Sequence, residues 1–254
     1  MNDTPALQLQ DIGYRIGGTK ILHAIDLKIA PGERVALIGP NGAGKTTLFN
    51  LVSGRQNPTT GTILMNGRPT LGCSPATLQQ RGLARSFQIT HLFPNLTVLD
   101  NMRCALMRSF NIGMCFWRAL SRHAALHQKA QLLLTQLQLT PLQHTLVKHL
   151  SYADQRTLEL GLALAADSKL LLLDEPTAGM SQSESRQVVQ LIRRMTEGKT
   201  LLLVEHDMGV VFDLADRIIV LVDGRMVAND APSAIRGNPF VRDAYLGPAQ
   251  RQVS

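Results

Sequence analysis

The sequence predicts an α/β fold in which a parallel sheet carries an antiparallel β layer and an inserted helical subdomain. The apolar run at 35–38 is bounded by turn residues, as in a buried strand of a parallel sheet, and a helical pattern follows it. Two similar runs, 170–173 and 201–204, flank a helical pattern at 183–194. Strand, helix and strand in this order indicate parallel topology.

The antiparallel layer is predicted by alternation of apolar and polar residues. Such alternation at 7–12 and 22–29 is typical of edge-type strands. Residues 61–65 predict a further strand, and Asn66-Gly67 predicts the hairpin turn after it. Near the C-terminus, a strand and its hairpin partner are expected within 218–228, followed by a short helical tail.

The inserted subdomain is predicted where strand patterns disappear, from residue 93 to about 138. Helical periodicity replaces them at 98–107 and 117–138, and its apolar residues favour a core of their own over a binding stripe. We therefore expect one domain over 1–254, made of a core lobe (about 5–92 and 158–230), a helical subdomain (about 93–157) and a C-terminal tail (231–254).

The composition is that of an ordinary soluble globular protein. Of the 254 residues, 44% are hydrophobic and 18% charged. The first ten residues show no basic segment followed by an apolar one, and no window approaches the roughly 20 apolar residues that span a bilayer. Cys73, Cys104 and Cys115 lack metal-ligand spacing and suit free thiols in a reducing compartment. We expect a cytoplasmic protein.

The net charge of +7 is compatible with nucleic acid, an anionic membrane face or a polyphosphate ligand. Much of the basic excess lies between residues 103 and 129: Arg103, Arg108, Arg118, Arg122 and Lys129. No aromatic-rich strand or recognition-helix module accompanies these residues. A solvated helical face is the favoured interpretation, ahead of the inner membrane leaflet, with nucleic acid third.

A glycine-rich loop follows the strand at 35–38. Residues 39–46, GPNGAGKT, match the phosphate-binding pattern G-x-x-x-x-G-K-[ST] in full. Its glycines let backbone N–H groups turn inward around a polyphosphate, and the next helix points its positive end at the same anion. Lys45 adds a charge for the outer phosphates, and the Thr46 hydroxyl is suited to ligate Mg²⁺. The loop predicts nucleotide binding.

Titratable side chains follow the two apolar runs near the C-terminus. Asp174 and Glu175 come directly after the run at 170–173, and His206 follows the run at 201–204. Because ligands gather at the carboxyl ends of parallel strands, we expect these side chains at one site. Asp174 is suited to hold Mg²⁺, Glu175 to take a proton from an attacking water, and His206 to bond the γ-phosphate or that water.

Two further segments complete the pattern. Gln88 closes the last core strand before the helical insert. Ser151 is a natural N-cap, with Asp154 three residues on, so a helix starting there is a second anion site. Two phosphate-binding helix starts about a hundred residues apart suggest two nucleotides shared across a dimer.

These motifs make the chain resemble an ATP-binding cassette (ABC) ATPase over essentially its whole length. The shared motifs are Walker A (GPNGAGKT), the glutamine loop (Gln88), the signature (LSYADQ), Walker B (LLLLDEP) and the switch histidine (LVEHD). Within that superfamily the chain most resembles the ATPase subunits of branched-chain amino acid importers. That likeness lies in IGPNGAGKTTLFN, ARSFQITHLFPNLTVLDN, Tyr152, EPTAGM, VEHDM and NPFVRDAYLG.

The resemblance implies an ABC ATPase fold with a RecA-like P-loop core, and roles for particular residues with ATP and Mg²⁺. The nucleotide-binding residues would be Gly39, Asn41, Gly42, Ala43, Gly44, Lys45, Thr46 and Thr47, with Tyr14 or Ile16 near adenine. The metal would be held by Thr46, Gln88 and Asp174, and the catalytic residues would be Glu175, His206, Lys45 and Gln88. Ser151, Tyr152, Ala153 and Asp154 would complete the ATP site of a facing subunit.

The resemblance also implies partners. These are integral membrane permease subunits, a second ABC ATPase subunit (a copy of this chain or a distinct one) and, indirectly, a periplasmic or extracellular solute-binding protein. The chain would lie peripherally on the cytoplasmic face of the inner or plasma membrane, and nucleic acid is disfavoured. The alternatives are the energising ATPase of a lipid or lipopolysaccharide exporter, and a soluble ABC ATPase without a transport role.

Three positions depart from the family pattern. Glycine is usual where this chain has Ala153, and a methyl group close to the partner's γ-phosphate would slow one composite site. The adenine-stacking aromatic is missing where Ile16 stands, and Tyr14 is the alternative. Ser181 stands where the usual polar dimer contact is Asp or Asn.

Overall fold

The computed structural model describes residues 4–86, 92–107, 110, 123–165 and 168–238. Within these residues the strands are β1 (Leu7–Ile16), β2 (Thr19–Ile29), β3 (Arg34–Ile38), β4 (Thr60–Met65), β5 (Arg68–Pro69), β6 (Leu83–Arg85), β7 (Leu170–Asp174), β8 (Thr200–Val204), β9 (Arg217–Val222) and β10 (Arg225–Asp230). The α-helices are α1 (Lys45–Val52), α2 (Pro75–Gln80), α3 (Val98–Leu106), α4 (Ala124–Gln136), α5 (Tyr152–Ala165), α6 (Gln182–Met195), α7 (Met208–Leu214) and α8 (Pro232–Gly237).

The central sheet has six strands in the order β10-β9-β3-β8-β7-β6. All neighbouring pairs except β10 with β9 are parallel, so β3, β7 and β8 end at the same edge. Every residue of β7 and β8 is buried, because helices or the second sheet cover both faces. The predicted parallel topology is confirmed.

The second sheet has four strands in the order β2-β1-β4-β5, and all its pairs are antiparallel. Its hairpin turn lies at Asn66 and Gly67, which have φ of 49° and 73°. The inner face of this sheet packs with α1 and one face of the central sheet in a single cluster that includes Leu9, Ile12 and Phe49. The predicted antiparallel layer is confirmed.

Helices α3, α4 and α5 form the helical part of the chain. The predicted helix at 117–138 is present as Ala124–Gln136, and residues 117–122 lie outside the described ranges. Apolar side chains of these helices, among them Leu126 and Leu158, share one cluster with Leu171 and Leu173 of β7. The apolar residues of these helices are therefore core residues, and their cluster is continuous with the central sheet.

No helix within the described residues is both long and apolar enough to cross a membrane.

Candidate functional site

The glycine-rich loop connects β3, in the middle of the central sheet, to α1. A side chain at Gly39 would collide with the carbonyl oxygen of Leu221 on the neighbouring strand β9. Gly44 has φ of 99°, and a Cβ atom there would lie 2.8 Å from a methyl carbon of Leu22. The loop is also tied to the sheet by a 3.0 Å hydrogen bond from the Gly224 N–H to the Ala43 carbonyl. Packing on both sides thus fixes a backbone that glycine alone fits.

Backbone donors of this loop are left for a ligand. In the described part of the chain, no acceptor bonds the N–H groups of residues 44–47. These groups belong to the end of the loop and the first turn of α1, where the helix presents its positive end. A row of unpaired N–H groups in a tight glycine loop fits a polyphosphate chain.

Lys45 lies under the loop with 7% of its surface exposed. Its ammonium Nζ donates hydrogen bonds to the carbonyl oxygens of Gly39 (2.6 Å) and Pro40 (2.9 Å). Burial lowers the pKa of Lys45, and the nearby charges of Glu175 and Asp174 oppose this shift. The structure therefore brings Lys45 and the two carboxylates together, as the strand ends predict.

Asp174, the last residue of β7, is almost completely buried and paired with Arg85 of β6. The Arg85 Nη2 atom lies 3.2 Å from Asp174 Oδ2, and the two side chains are only 8% and 3% exposed. Arg85 Nη1 donates hydrogen bonds to Asn50 Oδ1 and Ser53 Oγ, both at 2.8 Å. Burial raises the pKa of Asp174, and Arg85 opposes this. One arginine thus links the helix after the loop to the strand-end carboxylate.

Glu175 follows Asp174 in a left-handed backbone conformation, with φ of 47°. Its N–H donates to the Val204 carbonyl of β8 (2.9 Å), and its Oε1 lies 2.8 Å from Nε2 of His206. Both side chains remain partly exposed, 26% for Glu175 and 42% for His206. The predicted meeting of this carboxylate and this imidazole at neighbouring strand ends is present, and it leaves both groups accessible to a substrate.

Two charged residues that hold the site, Arg85 and Glu205, are not predicted from the sequence. Glu205, 3% exposed, accepts hydrogen bonds from the Thr177 N–H (3.0 Å) and hydroxyl (2.5 Å) and from the His206 N–H (2.9 Å). It thereby holds the turn after Glu175 against the end of β8. The signal available in the sequence was a charged residue placed directly at the end of an apolar strand.

The second predicted helix start is confirmed at α5. The Ser151 Oγ accepts a hydrogen bond from the Asp154 N–H (3.1 Å) and donates one to the Asp154 carboxylate (2.6 Å). Tyr152 and Ala153 form the first turn of the helix, and the Tyr152 ring is half exposed. The capping serine and its neighbours therefore lie at one exposed end of α5.

Most of the remaining predicted residues are exposed or only half-buried. Asn41, Gly42 and Thr46 are exposed on the loop and the first turn of α1. Tyr14 is half-buried against the cluster beneath the antiparallel sheet, and Ile16, at the end of β1, is 55% exposed. Gln88 lies outside the described residues.

Ser181, the third departure from the family pattern, has a local role. It caps α6 in a reciprocal capping box with Glu184.

A family model described as "ABC transporter" matches residues 22–178, which is more than half of the chain. The chain belongs to this family. The high-affinity branched-chain amino acid transport ATP-binding protein LivG of Escherichia coli strain K12 is 36% identical over 96% of this chain and 99% of its own length. The corresponding protein BraF of Pseudomonas aeruginosa is 34% identical, with the same two coverages. The ribose import ATP-binding protein RbsA 2 of Rhizobium meliloti is 33% identical over 95% of this chain but 46% of its own length.

Solved structures agree with this assignment. The ADP conformation of an ATP-binding cassette of an ABC transporter superposes with a TM-score of 0.82 at 25% identity, over 96% of this chain and 99% of that one. A nucleotide-free ATP-binding cassette from an ABC transporter superposes with a TM-score of 0.80 at 25% identity, over 96% of this chain and 100% of that one. The α/β architecture is therefore that of an ABC ATPase cassette, and this ABC protein is an ATPase of the same class.

Proposed function

We propose that this ABC ATPase is the ATP-hydrolysing subunit of an importer for branched-chain or related amino acids. The observation that carries the proposal is the meeting of Lys45, Glu175 and His206 where β3, β7 and β8 end. The cargo is inferred from the likeness to LivG and BraF, whose names specify branched-chain amino acid transport and whose length this chain matches almost completely.

In this proposal the loop holds the triphosphate of ATP. The unpaired N–H groups at 44–47 donate to phosphate oxygens, together with the exposed loop residues Asn41 and Gly42. The Lys45 ammonium, which bonds two loop carbonyls, exchanges them for the more strongly accepting outer phosphates. Tyr14 or Ile16 packs on the adenine from the end of β1.

The oxygen donors of the site fit Mg²⁺, which prefers hydroxyl, carboxylate, amide and phosphate oxygens. Thr46 would supply its hydroxyl and Gln88 its amide oxygen. Asp174 would contribute through water, since its Oδ2 is engaged by Arg85 while its Oδ1 has no partner within the described ranges. The metal, when bound, would neutralise charge on the phosphate oxygens.

Hydrolysis requires a base for the attacking water, and Glu175 fits that role. Its carboxylate is partly exposed, interacts with the charge of Lys45 and is oriented by His206. The His206 imidazole holds Glu175 Oε1 at 2.8 Å and is accessible enough to bond the γ-phosphate as well. Glu205 bonds the backbone N–H of His206 and that of Thr177, two residues after Glu175, which preorganises the site.

The exposed start of α5 would face the ATP of a second ABC subunit. Ser151, Tyr152, Ala153 and Asp154 would then complete the partner's site, with the Ala153 methyl group slowing its closure.

The permease subunits would dock in a groove that opens between α2, β6 and α5. The groove has a volume of about 370 Å³ and is lined by apolar side chains together with Arg55, Arg85 and Glu159. A short amphipathic helix of a membrane subunit fits such a mixed lining. The chain would then lie peripherally at the cytoplasmic face of the membrane, with a solute-binding protein acting on the opposite face. In this arrangement the core lobe carries ATP and the helical subdomain borders the groove.

Reconstitution tests the proposal. The chain, its membrane subunits and its solute-binding protein are placed in liposomes, and uptake of labelled leucine and labelled ribose is followed with and without ATP. We expect ATP-dependent uptake of leucine, not of ribose, and loss of uptake in Lys45→Ala. Uptake of ribose in place of leucine would refute the cargo, and absence of any ATP-dependent uptake would refute the transport function.

A further inference from the structure

Tyr152 joins the helical part of the chain to the turn that carries Glu175. Its hydroxyl donates a 3.1 Å hydrogen bond to the carbonyl oxygen of Ala178, three residues after Glu175. The next residue, Gly179, has φ of 77°, and a Cβ atom there would lie 3.2 Å from the Tyr152 hydroxyl. The tyrosine is therefore seated closely on the backbone of this turn.

The same turn is held from the other side by the core lobe. The Glu175 N–H bonds the Val204 carbonyl, Thr177 bonds Glu205, and the Ala178 N–H returns to the Glu175 carbonyl at 3.1 Å. The turn is thus bonded to the end of β8 on one side and to α5 on the other. Any movement of α5 relative to β8 changes the forces on the backbone that positions Glu175.

Arg156, one helical turn after Tyr152, directs the tyrosine hydroxyl. Its Nε donates a 3.0 Å hydrogen bond to that hydroxyl, and its guanidinium carbon lies 5.4 Å from the centre of the ring. Because the hydroxyl oxygen accepts from Arg156, its own proton is left to donate to Ala178.

Glu159 extends the chain of contacts to the groove. Its Oε2 accepts a 3.0 Å hydrogen bond from Arg156 Nη1, while its Oε1 is buried and has no partner in the described part of the chain. The same residue lines the groove between α2, β6 and α5. A buried carboxylate oxygen without a donor is destabilising. A hydrogen-bond donor that entered the groove would therefore attract the Glu159 carboxylate and shift its side chain.

We propose that Tyr152, Arg156 and Glu159 form a relay through which occupancy of the groove positions the backbone that carries Glu175. The relay rests on the proposed docking of a permease segment in the groove. It requires that this segment donate a hydrogen bond to the Glu159 carboxylate. Toward Glu175 of the same chain the three residues act as positioning residues, since their contacts reach that carboxylate only through the backbone at Ala178.

Steady-state ATP turnover of the liposome-reconstituted complex tests the relay, with the permease-free subunit as reference. Tyr152→Phe keeps the ring and removes the hydroxyl, and Arg156→Gln removes the guanidinium. We expect each to lower permease-stimulated kcat about three- to tenfold, the equivalent of one hydrogen bond, with KM for ATP within about twofold of the wild type. Because Tyr152 and Arg156 act through the same contact with Ala178, the double variant Tyr152→Phe with Arg156→Gln should lower kcat no more than the more damaging single variant does. Glu159→Gln should give a similar loss.

Arg103→Gln is the matched control. Arg103 also pairs with a carboxylate one turn away on a helix, at 3.1 Å from Asp100, but it has no contact with the turn at 175–180 within the described residues. We expect its stimulation to equal that of the wild type. The relay would be overturned if Tyr152→Phe lowered the permease-stimulated kcat while Arg156→Gln and Glu159→Gln did not. It would also be overturned if the losses in the double variant were additive, or if all three single variants behaved like the wild type. Failure of the proposed function is distinguished because the wild-type complex itself would then show no stimulation.

Discussion

The buried pair of Arg85 and Asp174 makes a prediction about stability that depends on no bound ligand. Arg85→Met keeps most of the side-chain volume but removes the guanidinium that compensates the Asp174 charge. Asn50 and Ser53 lose their donor as well. A carboxylate at 3% side-chain exposure is then left in the protein interior without its positive partner.

The expected cost follows from the burial of the pair. Breaking a buried ion pair by removing one partner costs about 3–5 kcal/mol, which for a domain of this size lowers the thermal midpoint by roughly 6–20 °C. The Arg103–Asp100 pair, with side chains 17% and 31% exposed, is the less buried counterpart, and Arg103 Nη2 also lies 2.7 Å from His127 Nδ1. Arg103→Met should therefore lower the midpoint by less than Arg85→Met does, because Asp100 keeps more contact with solvent than Asp174.

Thermal unfolding followed by far-UV circular dichroism checks this comparison. A third protein, Arg85→Met with Asp174→Asn, removes both charges and should recover most of the lost stability, because no uncompensated charge remains. Equal midpoints for Arg85→Met and Arg103→Met, or no recovery in the double variant, would refute the assignment of Arg85 as the buried counter-ion of Asp174.

Three further predictions concern other parts of the chain. Burial would raise the pKa of Glu33, but hydrogen bonds from Arg217 and the Ala30 N–H outweigh burial and lower the pKa from its ordinary value of 4.5. The stability that these contacts provide is therefore present above pH 4.5. It is lost as the pH falls through the lowered pKa of the folded state. The midpoint difference between wild type and Glu33→Gln should shrink in melts from pH 7 to pH 3, and a constant difference would contradict this. Ala153→Gly should raise ATP turnover in a coupled phosphate-release assay, and unchanged turnover would remove the idea that the methyl group hinders closure. Ser181→Ala should cost about 1 kcal/mol in urea unfolding through loss of the α6 N-cap, whereas Ser181→Asp should retain the cap; equal losses would contradict it.

The sequence predicts the central sheet well because its strands are buried on both faces. Such strands must be apolar throughout, so β7 and β8 are recognisable as continuous runs, and the residues that end them share one edge of a parallel sheet. The neighbourhood of Glu175 and His206 follows directly from that rule. The glycine loop is predictable because the loop must connect a buried strand to a helix through a tight turn, and only glycine fits the close contacts at positions 39 and 44.

Other features are not predictable because they depend on contacts between distant, short elements. Arg85 lies on a three-residue strand, and its partner Asp174 is 89 positions away, so no periodicity indicates the pair. Helix α7 has seven residues and is capped by Asp207, which in the sequence is recognisable only as part of the switch-histidine motif. The contact of Tyr152 with Ala178 likewise depends on how α5 packs, which tertiary structure alone determines.

The central claim is that Glu175 accepts the proton of the water that attacks ATP. The most direct test compares ATP turnover of the reconstituted wild type and Glu175→Gln at saturating ATP and Mg²⁺, with nucleotide binding measured in parallel. We predict a loss of turnover of at least about a hundredfold with ATP binding retained, as expected for removal of a general base. Turnover within tenfold of the wild type would contradict the claim.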